Sequence, residues 1–189
     1  MKNDITFLKV FGFISGLRVY LLSLGKIENS LYFKQINLFK LNFKFMADST
    51  FRVKAHSENS TKTVVKARTF QMIIDEPADL GGTNEGANPV EYVLAALSGC
   101  LNVMCHVIAN EMNFKLRGVE IKLSGPLNPD KLFGKETTDR AGYKEINVEI
   151  KPDTDADKAT LEKWIKTVES RCPVSDNLTN PTPVHISLA

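Results

Sequence analysis

The stretch from Asn88 to Asn113, NPVEYVLAALSGCLNVMCHVIANEMN, decides how the rest of the chain is read. It opens with a helix start: Asn88 as N-cap, Pro89 at the first helical position and Glu91 three residues after the cap. Apolar residues then recur at Val90, Val93, Leu94, Leu97, Leu101, Met104, Val107, Ile108 and Met112, which is the spacing of a buried helical stripe. The pattern predicts one long helix from Pro89 to about Asn113.

Away from this helix the period changes. Phe51-Arg52-Val53-Lys54-Ala55 alternates apolar and charged residues, as a half-buried strand does. Thr63 to Ile74 is rich in Val, Thr, Phe and Ile, with Glu58-Asn59-Ser60 as the turn before it. Asp75-Glu76-Pro77 through Gly81-Gly82 to Gly86 reads as a loop. On the C-terminal side, Val119–Leu123 and Ile146–Ile150 read as strands, joined by a polar loop from Asn128 to Gly142. Asp155–Arg171, with Ala159, Leu161, Trp164, Ile165 and Val168, reads as a second helix, and Val184–Leu188 as a closing strand. With no internal repeat or low-complexity linker from Met46 onward, the expectation is a single α+β domain over residues 46–189.

The chain has 189 residues and a net charge of +2, with 43% hydrophobic and 24% charged residues, which excludes a disordered or collagen-like protein. It is long enough for a full core without disulfide or metal staples. The near-neutral charge argues against nucleic acid as a partner, and no uninterrupted apolar run of about 18 residues suggests a membrane span. Three cysteines do not make a secreted disulfide framework, so a cytoplasmic setting is expected.

The average hides two unlike pieces. Residues 1–45 hold nine of the sixteen aromatic residues, with seven basic side chains against two acidic ones; the remainder carries 17 basic and 20 acidic groups, a net −3. Arg18 interrupts the apolar run and no small-residue cleavage pattern follows, so the segment does not read as a secretory signal. A single arginine and three serines do not suit a mitochondrial presequence either. It reads as an over-long start, with Met46-Ala47-Asp48-Ser49-Thr50 as the true beginning, the alternative being a genuine appendage.

The cysteines carry whatever chemistry the composition allows. Cys100 lies on the apolar stripe, where a buried thiol serves as a small, inert core residue. Against that reading, Ser98-Gly99-Cys100 puts a glycine inside a strong helix at a cost of roughly 1 kcal/mol, which often marks a close approach of backbone or ligand. Cys105 is displaced by about 140° around the helix and pairs with neither Cys100 nor a metal, and His106 points away as well. Cys105 and His106 read as packing or surface residues, and His56 and His185 are isolated in strands, so no metal motif survives. Cys172, in Arg171-Cys172-Pro173, follows the second helix, whose C-terminal dipole opposes a thiolate while Arg171 favours one. If the fold brings Cys100 and Cys172 together, one on a helix and one on a loop, they have the arrangement of an attacking and a resolving cysteine in peroxide chemistry.

Three motifs together resemble the OsmC/Ohr family of osmotically inducible and organic hydroperoxide resistance proteins. They are Asp75-Glu76-Pro77 with Leu80-Gly81-Gly82, Asn88-Pro89-Val90-Glu91 leading to Ala95-Ala96-Leu97-Ser98-Gly99-Cys100, and Arg171-Cys172-Pro173-Val174-Ser175. The resemblance covers residues 50–189 and leaves 1–45 without counterpart. It implies an α+β fold with antiparallel sheets around a long central helix, in which two chains interlock as a homodimer with each site at the interface. It further implies a cysteine-based hydroperoxide reductase without metal or other cofactor. Cys100 would be oxidised to a sulfenic acid, Cys172 would condense with it to a disulfide, and an external dithiol would restore both.

Two positions depart from the family pattern. Val90 stands where the hydroperoxide reductases place a glutamate directly after Asn-Pro, with Glu91 one residue on. The first-turn region that supplies the family's arginine offers Asn59, Ser60, Thr61 and Lys62 instead, and Arg52, Arg68 and Arg171 do not match it by motif. These departures keep a second reading open: a non-enzymatic dimer that binds an apolar ligand or partner, its cysteines serving as packing residues.

Overall fold

The computed structural model describes residues 48–188, and every structural statement below concerns these. The run Thr63–Ile74 folds into two strands because Arg68 takes a left-handed conformation, φ 57°, and turns the chain on itself. The result is an antiparallel meander of β1 (Lys54–Ser57), β2 (Thr63–Ala67) and β3 (Phe70–Ile74), with Ala67 opposite Phe70 and His56 opposite Val64. Asn59 fixes the first turn: its side-chain oxygen accepts from the backbone N–H groups of Thr61 and Lys62. Strand β1 begins three residues later than the alternation from Phe51 suggests, since Lys54 is the first residue paired with β2.

The acidic, glycine-rich loop that follows is organised around one buried carboxylate. Asp75 accepts hydrogen bonds from Glu76 N, Thr83 N, Thr83 Oγ1 and Glu85 N at 2.9, 3.0, 2.6 and 3.2 Å. Gly82 passes so close to Glu76 that a Cβ would meet its carbonyl oxygen at 1.7 Å, and Gly81 is left-handed at φ 85°. The motif around Leu80-Gly81-Gly82 is thereby a backbone requirement of this loop.

The long helix α1 (Pro89–Glu111) starts as its sequence indicates, with Asn88 and Glu91 closing a reciprocal capping box. It ends two residues earlier than expected because Asn113 adopts φ 58°, and Phe114 N turns back to Ala109 O. By length and composition α1 could cross a bilayer, but Leu97, Leu101, Cys105, Ile108 and Ala109 are buried against the neighbouring elements, as in the core helix of a domain.

Strands β4 (Leu116–Ser124) and β5 (Asn147–Thr154) are longer than expected and pair antiparallel, with Ile121 opposite Ile150 and Leu123 opposite Val148. Their shared face supplies Val119, Ile121, Leu123 and Ile150 to the core. Helix α2 (Lys158–Arg171), capped by Asp157, closes the core with Trp164 and Val168, and a short helix α3 (Pro173–Thr179) follows after one residue. Trp164 donates its indole N–H to the carbonyl oxygen of Cys105 at 3.0 Å and meets Phe114 edge-to-face, so α2 is tied to α1 through the centre of the domain.

The expected closing strand Val184–Leu188 is not a strand. Val184, Ile186 and Leu188 are 79, 94 and 103% exposed, and among the described residues no strand runs beside the segment. Alternation establishes that a segment suits a half-buried sheet position, but it does not supply the edge on which to lie. His185 is accordingly outside any strand, whereas His56 stands exposed on β1.

Candidate redox site

Cys100 is presented by the middle of α1, and Cys172 is the single residue between α2 and α3. Their Sγ atoms lie 2.9 Å apart and are not bonded. Cys172 is 1% exposed, while Cys100 is only partly buried, so solvent and small molecules reach Cys100 first.

The backbone around Cys172 changes the electrostatic expectation. Pro173 ends α2, but it also occupies the first turn of α3, and Cys172 is the N-cap of that helix. Its Sγ accepts from Ser175 N at 3.4 Å, and the Val174 N–H, the next donor of the same helix start, favours the charged form of the Cys100 thiol. Cys172 therefore stands between donors of a helix start, which favour negative charge, and the carbonyl end of α2 that opposes it. Burial still prevails at Cys100. Desolvation, followed by the contact with the Cys172 thiol, pushes its pKa above the ordinary value, and the Val174 N–H offsets this only in part.

Cys105 is fully buried in the same core, and burial pushes its thiol up to about 11. His106 is exposed. Gly99 meets nothing within 4 Å of where a Cβ would stand, so the close approach suggested by a mid-helix glycine is not made within the described chain. Among the described residues no three His, Cys, Asp or Glu side chains are grouped as metal ligands.

Three of the cations that the sequence offers to the thiols have other partners. Arg171 makes a two-point ion pair with Glu111, Lys62 pairs with Glu58 and Glu85 at 2.8 and 3.1 Å, and Arg68 lies over the Phe70 ring. Glu91 is held by its capping role, accepting from Asn88 N at 2.8 Å. Between α1, the segment 140–146, β5, α2 and α3 lies a cavity of about 950 Å³ lined by Leu97, Leu101, Ile150 and Trp164 together with Arg140 and Lys144; neither Cys100 nor Cys172 is among its lining residues. Its size suits a small molecule, and its lining sets an apolar wall beside charged side chains.

The described chain is thus an α+β domain of two antiparallel sheets packed on a long helix, with a partly buried and a buried thiol in contact between α1 and the α2–α3 junction. Residues 82–187 match the sequence profile of the family described as OsmC-like protein, and the chain belongs to that family. A search of curated proteins by sequence finds no match. Solved structures agree on the fold. The OsmC-like protein of Mycoplasma pneumoniae superposes with a TM-score of 0.62 at 19% identity, covering 70% of this chain and 89% of its own. An organic hydroperoxide resistance protein OsmC from Legionella pneumophila, described as a predicted redox protein, superposes at 0.52 and 19% identity, covering 70% and 91%. An organic hydroperoxide resistance protein from Elizabethkingia anophelis does so at 0.51 and 17%, covering 69% and 88%.

Proposed function

We propose that the protein is a thiol peroxidase of the OsmC-like family that reduces organic hydroperoxides through Cys100 and Cys172. The observation that carries this reading is the 2.9 Å separation of the two sulfurs, with the more accessible one on the helix. The Cys100 thiolate attacks the distal oxygen of the hydroperoxide, the O–O bond breaks, and the alcohol leaves with a proton. Cys100 is then a sulfenic acid. The Cys172 sulfur attacks that sulfur, the S–S bond forms and water departs; an external dithiol reduces the disulfide and is itself oxidised.

The apolar wall that Leu97 and Leu101 of α1 and Trp164 of α2 give the cavity favours an organic substituent over hydrogen peroxide. Two similar structures bear the name organic hydroperoxide resistance protein, which supports the same substrate class. The working unit in this reading is a cytoplasmic homodimer of the domain 46–189. The exposed alternating segment Val184–Leu188 and the exposed Val103 and Val107 of α1 are the surfaces that a second copy would cover. Replacing Cys100 with serine abolishes peroxide consumption supported by a dithiol; undiminished turnover in that variant rejects the mechanism.

The same cavity, with Arg171 and Lys62 engaged elsewhere, favours one other reading: a dimer that binds an apolar ligand and keeps its cysteines as packing residues. Intact mass after mild peroxide separates the two. Rapid loss of two hydrogens, absent in Cys172→Ser, belongs to the redox reading, and unchanged thiols belong to the binding one.

A further inference from the structure

We propose that Glu111 and Arg171 are a positioning pair for the resolving thiol, setting the rate of disulfide formation and leaving peroxide attack untouched. The inference rests on the two-cysteine reading given above. Glu111 is the last residue of the helix that carries Cys100, and Arg171 is the last residue of α2, joined directly to Cys172. Arg171 Nη2 meets Glu111 Oε1 at 3.1 Å, and Nη1 closes a second contact on Oε2.

At a rise of about 1.5 Å per residue, Glu111 lies roughly 16 Å along α1 from Cys100. The Arg171 side chain reaches along α1 to meet it, and so braces the α2–α3 junction against sliding on the helix it must face. Backbone ties Cys172 firmly to α3, with Asp176 N donating to Cys172 O at 2.9 Å, but does little on the α2 side. Cys172 N donates to Glu169 O over 3.4 Å, Pro173 has no N–H, and Cys172 itself is extended at ψ 111°. An exposed ion pair adds little to global stability, but a bidentate guanidinium–carboxylate contact fixes orientation as well as distance.

The two chemical steps make different demands on that brace. In the first, the Cys100 sulfur takes the distal peroxide oxygen, and nothing is required of the Cys172 backbone. In the second, the Cys172 sulfur must close from 2.9 Å to the bonded distance of about 2.05 Å, the S–S bond forming as the sulfenic S–O bond breaks and water leaves. A junction that wanders slows only this second step, and the sulfenic acid then survives long enough for a second peroxide to oxidise it to sulfinic acid.

The test uses the full chain as wild type, Glu111→Ala, Arg171→Ala, Arg171→Lys and the charge-swapped Glu111→Arg/Arg171→Glu, with cumene hydroperoxide as the probe. Single-turnover peroxide consumption reads the first step; loss of free thiols and sulfinic acid at Cys100 read the second. The alanine variants keep the first step within about twofold of wild type and slow the second by about three- to fivefold, the upper range of an exposed pair. Sulfinic acid at Cys100 rises correspondingly. Arg171→Lys, which keeps the charge and loses the fork, falls between, and the charge swap recovers most of the rate. Thermal midpoints near that of wild type establish that the variants fold. Alanine variants with both steps unchanged, or with both slowed equally, overturn the positioning role while leaving the peroxidase reading intact. Wild type that forms no sulfenic acid removes that reading and this proposal with it.

Discussion

Cys100 and Cys172, 72 residues apart in sequence, hold their Sγ atoms 2.9 Å from each other, and the two differ in exposure: Cys172 is enclosed and Cys100 is not. This asymmetry follows from the elements that carry them. Helix α1 presents Cys100 at the margin of its apolar stripe, whereas the α2–α3 junction folds Cys172 inward next to Val168. The order of attack by an external electrophile is therefore set by the fold. Limiting iodoacetamide on the native, reduced protein modifies Cys100 before Cys172, and Cys105 reacts only on unfolding. Peptide mapping of the labelled sites checks this, and early labelling of Cys172 or Cys105 contradicts it.

The pH dependence of that reactivity has a defined sign. Burial, then the contact with Cys172, raises the Cys100 pKa above the ordinary thiol value, so the thiolate is the minor form at neutral pH. The alkylation rate of Cys100 accordingly rises steadily with pH and is still climbing at pH 9.0, the usual thiol value, where an unperturbed cysteine is half ionised. A plateau reached near neutrality would mean that a cation arrives at the site in the assembled protein. Repeating the profile with Cys172→Ser separates the two causes, because burial remains while the thiol contact is lost.

The central helix, both sheets and the second helix are legible in the sequence because each has a period and a boundary. Asn88-Pro89 with Glu91 is read as a helix start, and it is one. The same grammar recurs at Cys172-Pro173, where proline both stops α2 and opens α3; a stop alone leaves out α3 and the helix-start donors that offset the carbonyl end of α2 at Cys172. That signal was available, since proline suits the first turn of a helix as well as it breaks one. The approach of Cys172 to Cys100 was implied by the family resemblance alone, because residue spacing is silent on which loop meets which helix. Val184–Leu188 marks the other limit: its alternation is real, but a strand also needs an edge within reach.

Asp75 is the residue on which the entry to α1 depends. Four donors from Glu76, Thr83 and Glu85 converge on its buried carboxylate and hold the loop that ends at the Asn88 cap. The hydrogen bond from Thr83, aided by the N–H groups of Glu85 and Glu76 and opposed by burial, keeps its pKa well below the usual carboxylate range. With a folded pKa below the unfolded one, the stabilisation is complete above about pH 4 and is lost as pH falls from there toward the folded value. Asp75→Asn keeps the shape and removes the charge. It lowers the Tm at neutral pH by several degrees and flattens the acid limb of the Tm–pH curve. Circular dichroism melts from pH 2 to 7 check both, and an acid limb unchanged in the variant would place the titration elsewhere.

Glu91 poses the sharper question, because it stands one residue beyond the position where the hydroperoxide reductases it resembles carry a glutamate. The structure gives it a complete role in capping: Glu91 N donates to Asn88 Oδ1 at 2.9 Å, and Asn88 N donates to Glu91 Oε2 at 2.8 Å. A capping box acts on stability and does nothing to the chemistry of a thiol nine residues away. Asn88→Ala removes one half of it and costs about 1 kcal/mol of stability. Glu91→Gln keeps an acceptor for the cap while discarding the charge, so it leaves both stability and peroxide turnover close to wild type. If Glu91 instead orients a cation toward Cys100, the same conservative change cuts turnover by an order of magnitude or more without moving the melting temperature. Measuring Tm and turnover on the two variants side by side distinguishes these cases, since capping couples the two measurements through Asn88 and catalysis uncouples them at Glu91.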